Sequence, residues 1–194
     1  MSIPLLLLCI VLLITDVCNR SAKKSKIKTY GLLKEVFKMG KYSTGIIRHE
    51  ALQPLSRHHR EALFTAINLK RAGTDKARFS LKKVLSDTKE YWEKSGKRHL
   101  RQEEEILLSA FAEFRSLDCP EIKEMLEEHV NIRAQMNKLL SKGYEDNIEE
   151  MNKTGELLED HIRKEERRIY PFIEKALSEE KLKELVSLLH ERTE

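Results

Sequence analysis

Two His-x-x-x-Glu pairs, far apart along the chain, have residue types and a spacing that suit metal chemistry. The first pair is His99 with Glu103, and the second is His161 with Glu165. Residues four apart lie on one face of an α-helix, so each pair would present an imidazole beside a carboxylate. Neutral imidazole and carboxylate are ligands that suit iron and related metals. The two pairs therefore indicate a metal site, provided that both faces point into one core.

Single histidines interrupt the apolar faces of two further segments. His129 interrupts one face, and either His58 or His59 interrupts the other, because each of them shares a helical stripe with Leu55. Helical register alone leaves that choice open. A buried ionised carboxylate is unfavourable unless it is paired or bound to a metal. Two glutamates among four histidines in one core therefore favour metal ligation over a metal-free bundle.

The helices that would position these side chains follow from the apolar periodicity. From Gln53 onward, apolar residues recur three and four apart, without the alternation of a strand. Five helices are predicted, at about 54–71, 76–114, 120–142, 145–172 and 178–191. Gly96 weakens the second, because an interior glycine costs about 1 kcal/mol relative to alanine. Because the connections are short, the predicted fold is an all-α, up-and-down antiparallel four-helix bundle with a short extra C-terminal helix.

Composition and charge fit one mid-sized helical domain and argue against several function classes. The 194 residues are 40% hydrophobic, which suits a single domain with a buried core. Much of the net charge of +4 comes from the basic run 20–28, so no nucleic-acid partner is predicted. The sequence has no nucleotide-binding loop, redox cysteine pair or nucleophile constellation. No catalytic residue is therefore assigned.

The amino terminus carries an apolar run with three open interpretations. Residues 3–14 are almost wholly apolar, shorter than the roughly 20 residues of a spanning helix and similar to a signal-peptide core. A secretion signal, a short anchor and a false start upstream of Met39 all remain open, so membrane contact is expected only through residues 3–15. The folded domain is expected in the cytoplasm, unless the apolar segment directs export. If the segment acts as an anchor, the basic run after it would also keep the domain on the cytoplasmic side.

Four segments resemble the helix signatures of the hemerythrin-like, or HHE cation-binding, family. Their sequences are RHEALQPLSRHHREAL, HLRQEEEILL, EMLEEHVNIR and LLEDHIRKEERRIYPFIE. The resemblance covers residues 48–174, which leaves 1–38 as an N-terminal apolar and basic segment and 175–194 as a C-terminal helix. It implies a four-helix bundle around a carboxylate-bridged pair of non-haem iron ions.

The resemblance also assigns the ligands residue by residue. The family motif has a leucine four residues after the first ligand, so Leu63 selects His59 over His58. His58 stands where the motif has an acid, which puts the hydrogen bonding around the first ligand in question. Glu104 and Glu166, which follow ligand positions, are interpreted as solvent-facing. The implied metal ligands are His59, His99, Glu103, His129, His161 and Glu165, with the two glutamates as bridges.

The function implied by the resemblance is metal binding, with a small molecule as the partner. We expect a di-iron protein that binds or responds to O2, NO or peroxide rather than a classified enzyme. Repair of iron–sulfur clusters or oxidative di-iron catalysis is the first alternative, and a metal-free helical interaction module is the second.

The third helix differs from that of the oxygen carriers in this family. Those proteins have a second ligand histidine four residues after the first, whereas Arg133 stands four residues after His129 here. Arginine cannot donate a lone pair to a metal. The expected site is therefore a four-histidine, two-glutamate variant, in which the Arg133 guanidinium approaches the iron that lacks a third imidazole.

Overall fold

The computed structural model describes residues 47–141, 143 and 147–190, and these residues form helices and no β-strand. The all-α class expected from the sequence is thereby confirmed. The apolar run at residues 3–14 and the basic run after it lie outside the described residues. Across the described ranges, no helix is long and apolar enough to cross a membrane.

Five helices follow one another along the described part of the chain, in the order expected from the sequence. A short 3-10 turn, Glu50–Leu52, precedes the first of them. The helices are α1 (Gln53–Arg71), α2 (81–112), α3 (Pro120–Leu140), α4 (148–176) and α5 (Glu179–His190).

α2 begins at Leu81 rather than near Lys76, so the predicted start of this helix is wrong. Ser80 has an extended backbone, and its hydroxyl accepts a hydrogen bond from the backbone N–H of Lys83 at 3.3 Å. Serine is a preferred residue at this capping position, since its side chain satisfies one of the free N–H groups of the first turn. The apolar periodicity does not register such a cap, which explains the early start in the prediction.

Three wide, π-helical turns interrupt the long helices. The turn Trp92–Gly96 in α2 contains the weak point expected at Gly96. The turn Glu103–Leu107 in α2 and the turn Glu165–Ile169 in α4 each begin at the glutamate of a His-x-x-x-Glu pair. A wide turn holds more residues than an α-helical turn and so re-aims the side chains on it. We call the last two the glutamate turns.

Pro171 follows the glutamate turn of α4 without ending the helix. Proline has no N–H to donate, so a proline inside a helix leaves one carbonyl oxygen without its usual partner. In the five-residue register of the wide turn, that oxygen belongs to Glu166, and Arg48 Nη2 donates to it at 2.8 Å. α4 therefore continues to Ala176, beyond the predicted end at Phe172.

α1 and α4 approach each other closely at Gly155. A Cβ atom at this position would lie 2.6 Å from the carbonyl oxygen of Ala66 and 2.8 Å from the backbone nitrogen of Lys70. Backbone atoms cannot rotate aside as the end of a side chain can. The absence of a side chain at Gly155 thus sets the separation of α1, which carries His59, from α4, which carries His161.

α5 covers one of the clusters of buried apolar side chains that make up the core. Leu182, Leu185 and Leu189 of α5 are buried against Phe111 of α2 and other members of this cluster. These three leucines recur at helical spacing, so they give the predicted C-terminal helix one buried face.

Candidate metal centre

Six residues from four helices converge in the core, and each is at most 4% exposed. Their ligand atoms fall into two groups, within each of which all atoms lie within 4.8 Å of one another. Position A is formed by His59, His99, Glu103 and Glu165. Position B is formed by Glu103, His129, His161 and Glu165. Both glutamates belong to both positions, and His58 belongs to neither.

The distances between these ligand atoms suit side chains that share a cation. Metal–ligand bonds of about 2.1 Å place neighbouring ligand atoms about 3 Å apart. In position A, His59 Nε2 lies 3.0 Å from His99 Nε2 and 3.0 Å from Glu165 Oε2. In position B, the Nε2 atoms of His129 and His161 lie 3.4 Å and 3.2 Å from Glu165 Oε1. One oxygen of Glu165 thus faces a histidine of position A, and the other faces both histidines of position B.

Three of the ligand atoms are buried without a hydrogen-bond partner among the described residues, namely Glu103 Oε2, Glu165 Oε2 and His161 Nε2. Leaving a buried polar atom unpaired costs about 1–3 kcal/mol. Glu103 Oε2 lies 3.4 Å from the Nε2 atoms of both His99 and His129, one in each position. A cation in each position would give all three unpaired atoms a partner. The donor set therefore fits metal ions that prefer imidazole and carboxylate ligands.

Three of the four histidines have a carboxylate at Nδ1, the ring nitrogen on the other side from positions A and B. Such a carboxylate keeps the proton on Nδ1, orients the ring and leaves the lone pair of Nε2 free for a metal. The pairs are His59 with Glu166 at 2.7 Å, His129 with Glu104 at 2.7 Å and His161 with Glu128 at 3.0 Å.

Each of these three carboxylates is held in turn by a cationic side chain. The pairs are Arg48 with Glu166 at 2.9 Å, Arg133 with Glu104 at 2.7 Å, and Lys164 with Glu128. Burial would raise the pKa of Glu104, but its hydrogen bonds with His129 and Arg133 outweigh burial and lower the pKa to about 2. Three chains of cation, carboxylate and imidazole therefore surround the two positions.

The interpretation of Glu104 and Glu166 as solvent-facing residues is wrong. Their side chains are only 26% and 16% exposed, and each supports a histidine of the site. Both lie on the glutamate turns, where the wider spacing brings consecutive side chains closer to one face. The sequence carried a signal for this role, because a second acid directly follows both Glu103 and Glu165. The next residue in α2, Glu105, is exposed.

Arg133 does not approach either metal position, so that expectation is also wrong. Its guanidinium donates two hydrogen bonds to the carboxylate of Glu104, at 2.7 and 2.8 Å. Glu104 lies at Nδ1 of His129, whereas Nε2 of His129 faces the site. Two parallel bonds between an arginine and a carboxylate are among the stronger hydrogen-bonded pairs. Arg133 therefore supports His129 from behind instead of facing an ion.

His58 lies beside His99, whereas the sequence analysis expected it to affect the hydrogen bonding of His59. His59 has its partner in Glu166, whereas the ring of His58 packs edge-on against that of His99, with centroids 5.6 Å apart. Nδ1 of His58 and Nδ1 of His99 are both buried, and neither has a hydrogen-bond partner among the described residues. Burial and the charge of Arg98 lower the pKa of His58. The ligand residue whose Nδ1 lacks a hydrogen-bond acceptor among the described residues is therefore His99, not His59.

Tyr170 is a polar residue at position A that the sequence analysis missed. Its hydroxyl donates to Glu103 Oε1 at 2.5 Å and lies 3.3 Å from His59 Nε2. Its ring stacks on His59 with centroids 5.3 Å apart, and the Arg48 guanidinium lies 5.2 Å from the ring centroid. Burial and the charge of Glu103 raise the pKa of Tyr170 well above its ordinary value. Tyr170 follows Glu165 by five residues, a spacing that faces inward only because of the wide turn.

Protons would compete with metal ions for two of the candidate ligand histidines. Burial opposes the charged form of His59, but hydrogen bonds with Glu165 and Glu166 outweigh it and raise the pKa to about 10. Burial likewise opposes charge on His129, but hydrogen bonds with Glu104 and Glu165 raise its pKa to about 10. Because metal binding requires neutral imidazole, each histidine must lose its proton when an ion binds.

We therefore expect metal affinity to rise with pH from 7 towards 10 and metal uptake to release protons. The sign follows from the raised pKa values, because protonated His59 and His129 dominate below about pH 10 in the metal-free protein. Calorimetric titration with metal, repeated in buffers of different ionisation enthalpy, would count the released protons at each pH. An affinity that stays constant between pH 7 and pH 9 would contradict the expected competition.

Comparison with known proteins supports the metal-binding character of this arrangement. A comparison with protein-family models matches residues 50–173 to the Hemerythrin HHE cation binding domain. The matched segment is well over half of the chain and contains all six side chains of positions A and B. Neither a search of curated proteins nor a search of solved structures gave a match. The chain therefore belongs to the hemerythrin HHE cation-binding domain family, as a helical metal-binding protein.

Proposed function

We propose that the protein binds two non-haem iron ions, one in position A and one in position B, bridged by the carboxylates of Glu103 and Glu165. The observation that carries this proposal is the placement of Glu165, whose Oε2 lies 3.0 Å from His59 of position A and whose Oε1 lies 3.2 to 3.4 Å from His161 and His129 of position B. Four imidazoles and two shared carboxylates give each ion two nitrogen and two oxygen ligands. Di-iron carboxylate sites of this kind are built in the interior of four-helix bundles, and we propose an up-and-down arrangement of α1 to α4.

We further propose that a small diatomic molecule, O2 or NO, or peroxide is the ligand of this centre. Iron bound here would supply redox chemistry and coordination places that the protein side chains leave free. The protein contributes a buried setting, since all six residues of positions A and B are at most 4% exposed. Tyr170 holds Glu103 in place through the hydrogen bond to Oε1.

A metal-free role for these helices is less well supported by the site. A helical interaction module would gain nothing from Glu103 Oε2 and His161 Nε2, which are buried without a hydrogen-bond partner. Two carboxylates in one core also repel each other, and burial together with the charge of Glu165 raises the pKa of Glu103 to about 8. Cations in both positions remove these two unfavourable features at once.

The proposal is tested by metal content and by the visible spectrum. Protein purified from iron-replete cells should contain two iron ions per chain, because each of the two positions has its own pair of histidines. The reduced, anaerobic protein should then change its visible spectrum on addition of O2, NO or peroxide, and comparison of the three identifies the ligand. His190→Ala, a change in α5 outside both positions, is the control and should keep iron and spectrum. A single zinc ion, or no metal after anaerobic reconstitution, would refute the proposal.

A further inference from the structure

The site consists of two halves that repeat one pattern. Each half has a single histidine on its first helix, then a His-x-x-x-Glu pair and a second acid on its next helix. The second acid of each half supports the single histidine of the other half. In the half formed by α1 and α2, these residues are His59, His99, Glu103 and Glu104; in the half formed by α3 and α4, they are His129, His161, Glu165 and Glu166.

The pattern extends to the residue before the single histidine, and there it breaks. In the second half this residue is Glu128, which accepts a hydrogen bond from His161 Nδ1 at 3.0 Å. The corresponding residue of the first half is His58, which lies against His99 in the same way. His99 Nδ1 is buried and finds no acceptor among the described residues. His99 is thus the one ligand histidine of the site without a supporting carboxylate.

A ligand histidine without an acceptor at Nδ1 binds a metal less well, for two reasons. Nothing fixes the ring orientation or the proton on Nδ1, and the buried N–H stays unsatisfied when Nε2 binds the ion. Loss of such a partner lowers metal affinity about 10- to 100-fold in metal sites that have been studied. Position B has two supported histidines, whereas position A has only His59.

We propose that His58 makes the two metal positions unequal, so that position B binds its ion first and position A exchanges its ion more readily. This inference rests on the proposed two-ion site and describes how that site is regulated. A chain with one ion in position B would then be a distinct state, and the supply of metal would decide whether position A is filled. Any chemistry that needs both ions would depend on the weaker position.

Titration of the metal-stripped full-length chain with cobalt(II), followed by visible absorption, tests the order of filling. The observation of two separate binding steps does not by itself show that the positions differ in affinity. Repulsion between the two cations would separate the steps even if both positions were equal. The variants identify the position instead. Glu128→Gln, which removes the charge behind His161, should weaken the first step about tenfold. Glu166→Gln, which removes the charge behind His59, should leave the first step unchanged and weaken the second.

A gain of affinity tests the cause. His58→Glu places a carboxylate beside His99 and should strengthen the second step about tenfold without changing the first. His58→Ala removes the ring without supplying an acceptor, so it is the matched control and should change neither step. Glu105→Gln, a charge loss at an exposed position of α2, should also leave both steps unchanged.

The outcomes separate this inference from the proposed function. If Glu166→Gln weakens the first step as much as Glu128→Gln does, the positions are equal and the inference fails, although the metal site stands. If His58→Glu leaves the second step unchanged, the missing acceptor is not the cause of any inequality. If the unsubstituted chain binds neither cobalt nor iron, the proposed function itself fails.

Discussion

Replacement of Glu165 by alanine is expected to remove both metal ions from the protein. Its two oxygens face three histidines, with Oε2 at 3.0 Å from His59 and Oε1 at 3.2 to 3.4 Å from His161 and His129. No other side chain of the site lies so close to histidines of both positions. Without this carboxylate each position loses one of its oxygen ligands and the ions lose a bridge. Elemental analysis after anaerobic reconstitution should find neither ion, and the visible absorption should be absent.

Glu105→Ala is the matched control for this substitution. Glu105 is the same residue type on α2, lies two residues after Glu103 and is exposed. This variant should keep both ions, and far-ultraviolet circular dichroism should show that both variants remain helical. Retention of both ions by Glu165→Ala would show that this carboxylate is not a bridge, and the assignment of the site would then be wrong.

Gly155→Ala is expected to destabilise the fold, although alanine normally stabilises a helix relative to glycine by up to about 1 kcal/mol. The new Cβ would lie 2.6 Å from Ala66 O and 2.8 Å from Lys70 N, so α1 and α4 would have to separate. Such overpacking costs about 1–3 kcal/mol. For a protein of this size, each kcal/mol lowers the melting temperature by about 2–4 °C.

Thermal unfolding of the metal-free variants measures this effect without a contribution from bound ions. Gly143→Ala is the control, because a Cβ at Gly143 would meet no atom of the described residues within 4 Å and its backbone is not left-handed. That variant should melt at the temperature of the unsubstituted protein. A Gly155→Ala variant that melts at the same or a higher temperature would show that the close approach of α1 and α4 is not kept in solution.

Helical period and burial were sufficient to find five of the six side chains, whereas His59 was chosen over His58 through the family resemblance, because each of the two shares a stripe with Leu55. His99 and Glu103 lie four apart, as do His161 and Glu165, and each pair stands on a face that is otherwise apolar. In the structure all four are buried. That the six side chains bind metal stays a prediction of the sequence, which the geometry supports.

The residues around the ligands were not predictable in the same way. A constant helical period places Glu104, Glu166 and Tyr170 off the inner face, but the glutamate turns change the register at Glu103 and Glu165. A constant period cannot represent a helical turn that is one residue longer. The prediction therefore placed Glu104 and Glu166 in solvent and did not assign Tyr170 to the site.

The hydrogen-bond partner of the long Arg133 side chain was not predictable from the sequence either. Helical register places Arg133 one turn beyond His129, which is correct, but the guanidinium has several reachable partners. It pairs with Glu104, since a carboxylate satisfies two of its donors at once. The choice of partner depends on a residue of another helix, and the spacing along one helix cannot reveal it.

The contacts of Arg48 extend the functional segment beyond the residues that carry the proposed ligands. The matched residues 50–173 contain all six proposed ligands but neither Arg48 nor Glu174, which pairs with Arg48 at 3.1 Å. A chain trimmed to that match would keep every metal-facing donor. It would lose both hydrogen bonds from Arg48 to Glu166. One of them holds the carboxylate that supports His59, and the other satisfies the carbonyl oxygen that Pro171 leaves without a partner. Transfer of the site to another helical bundle would therefore need residues 48–174.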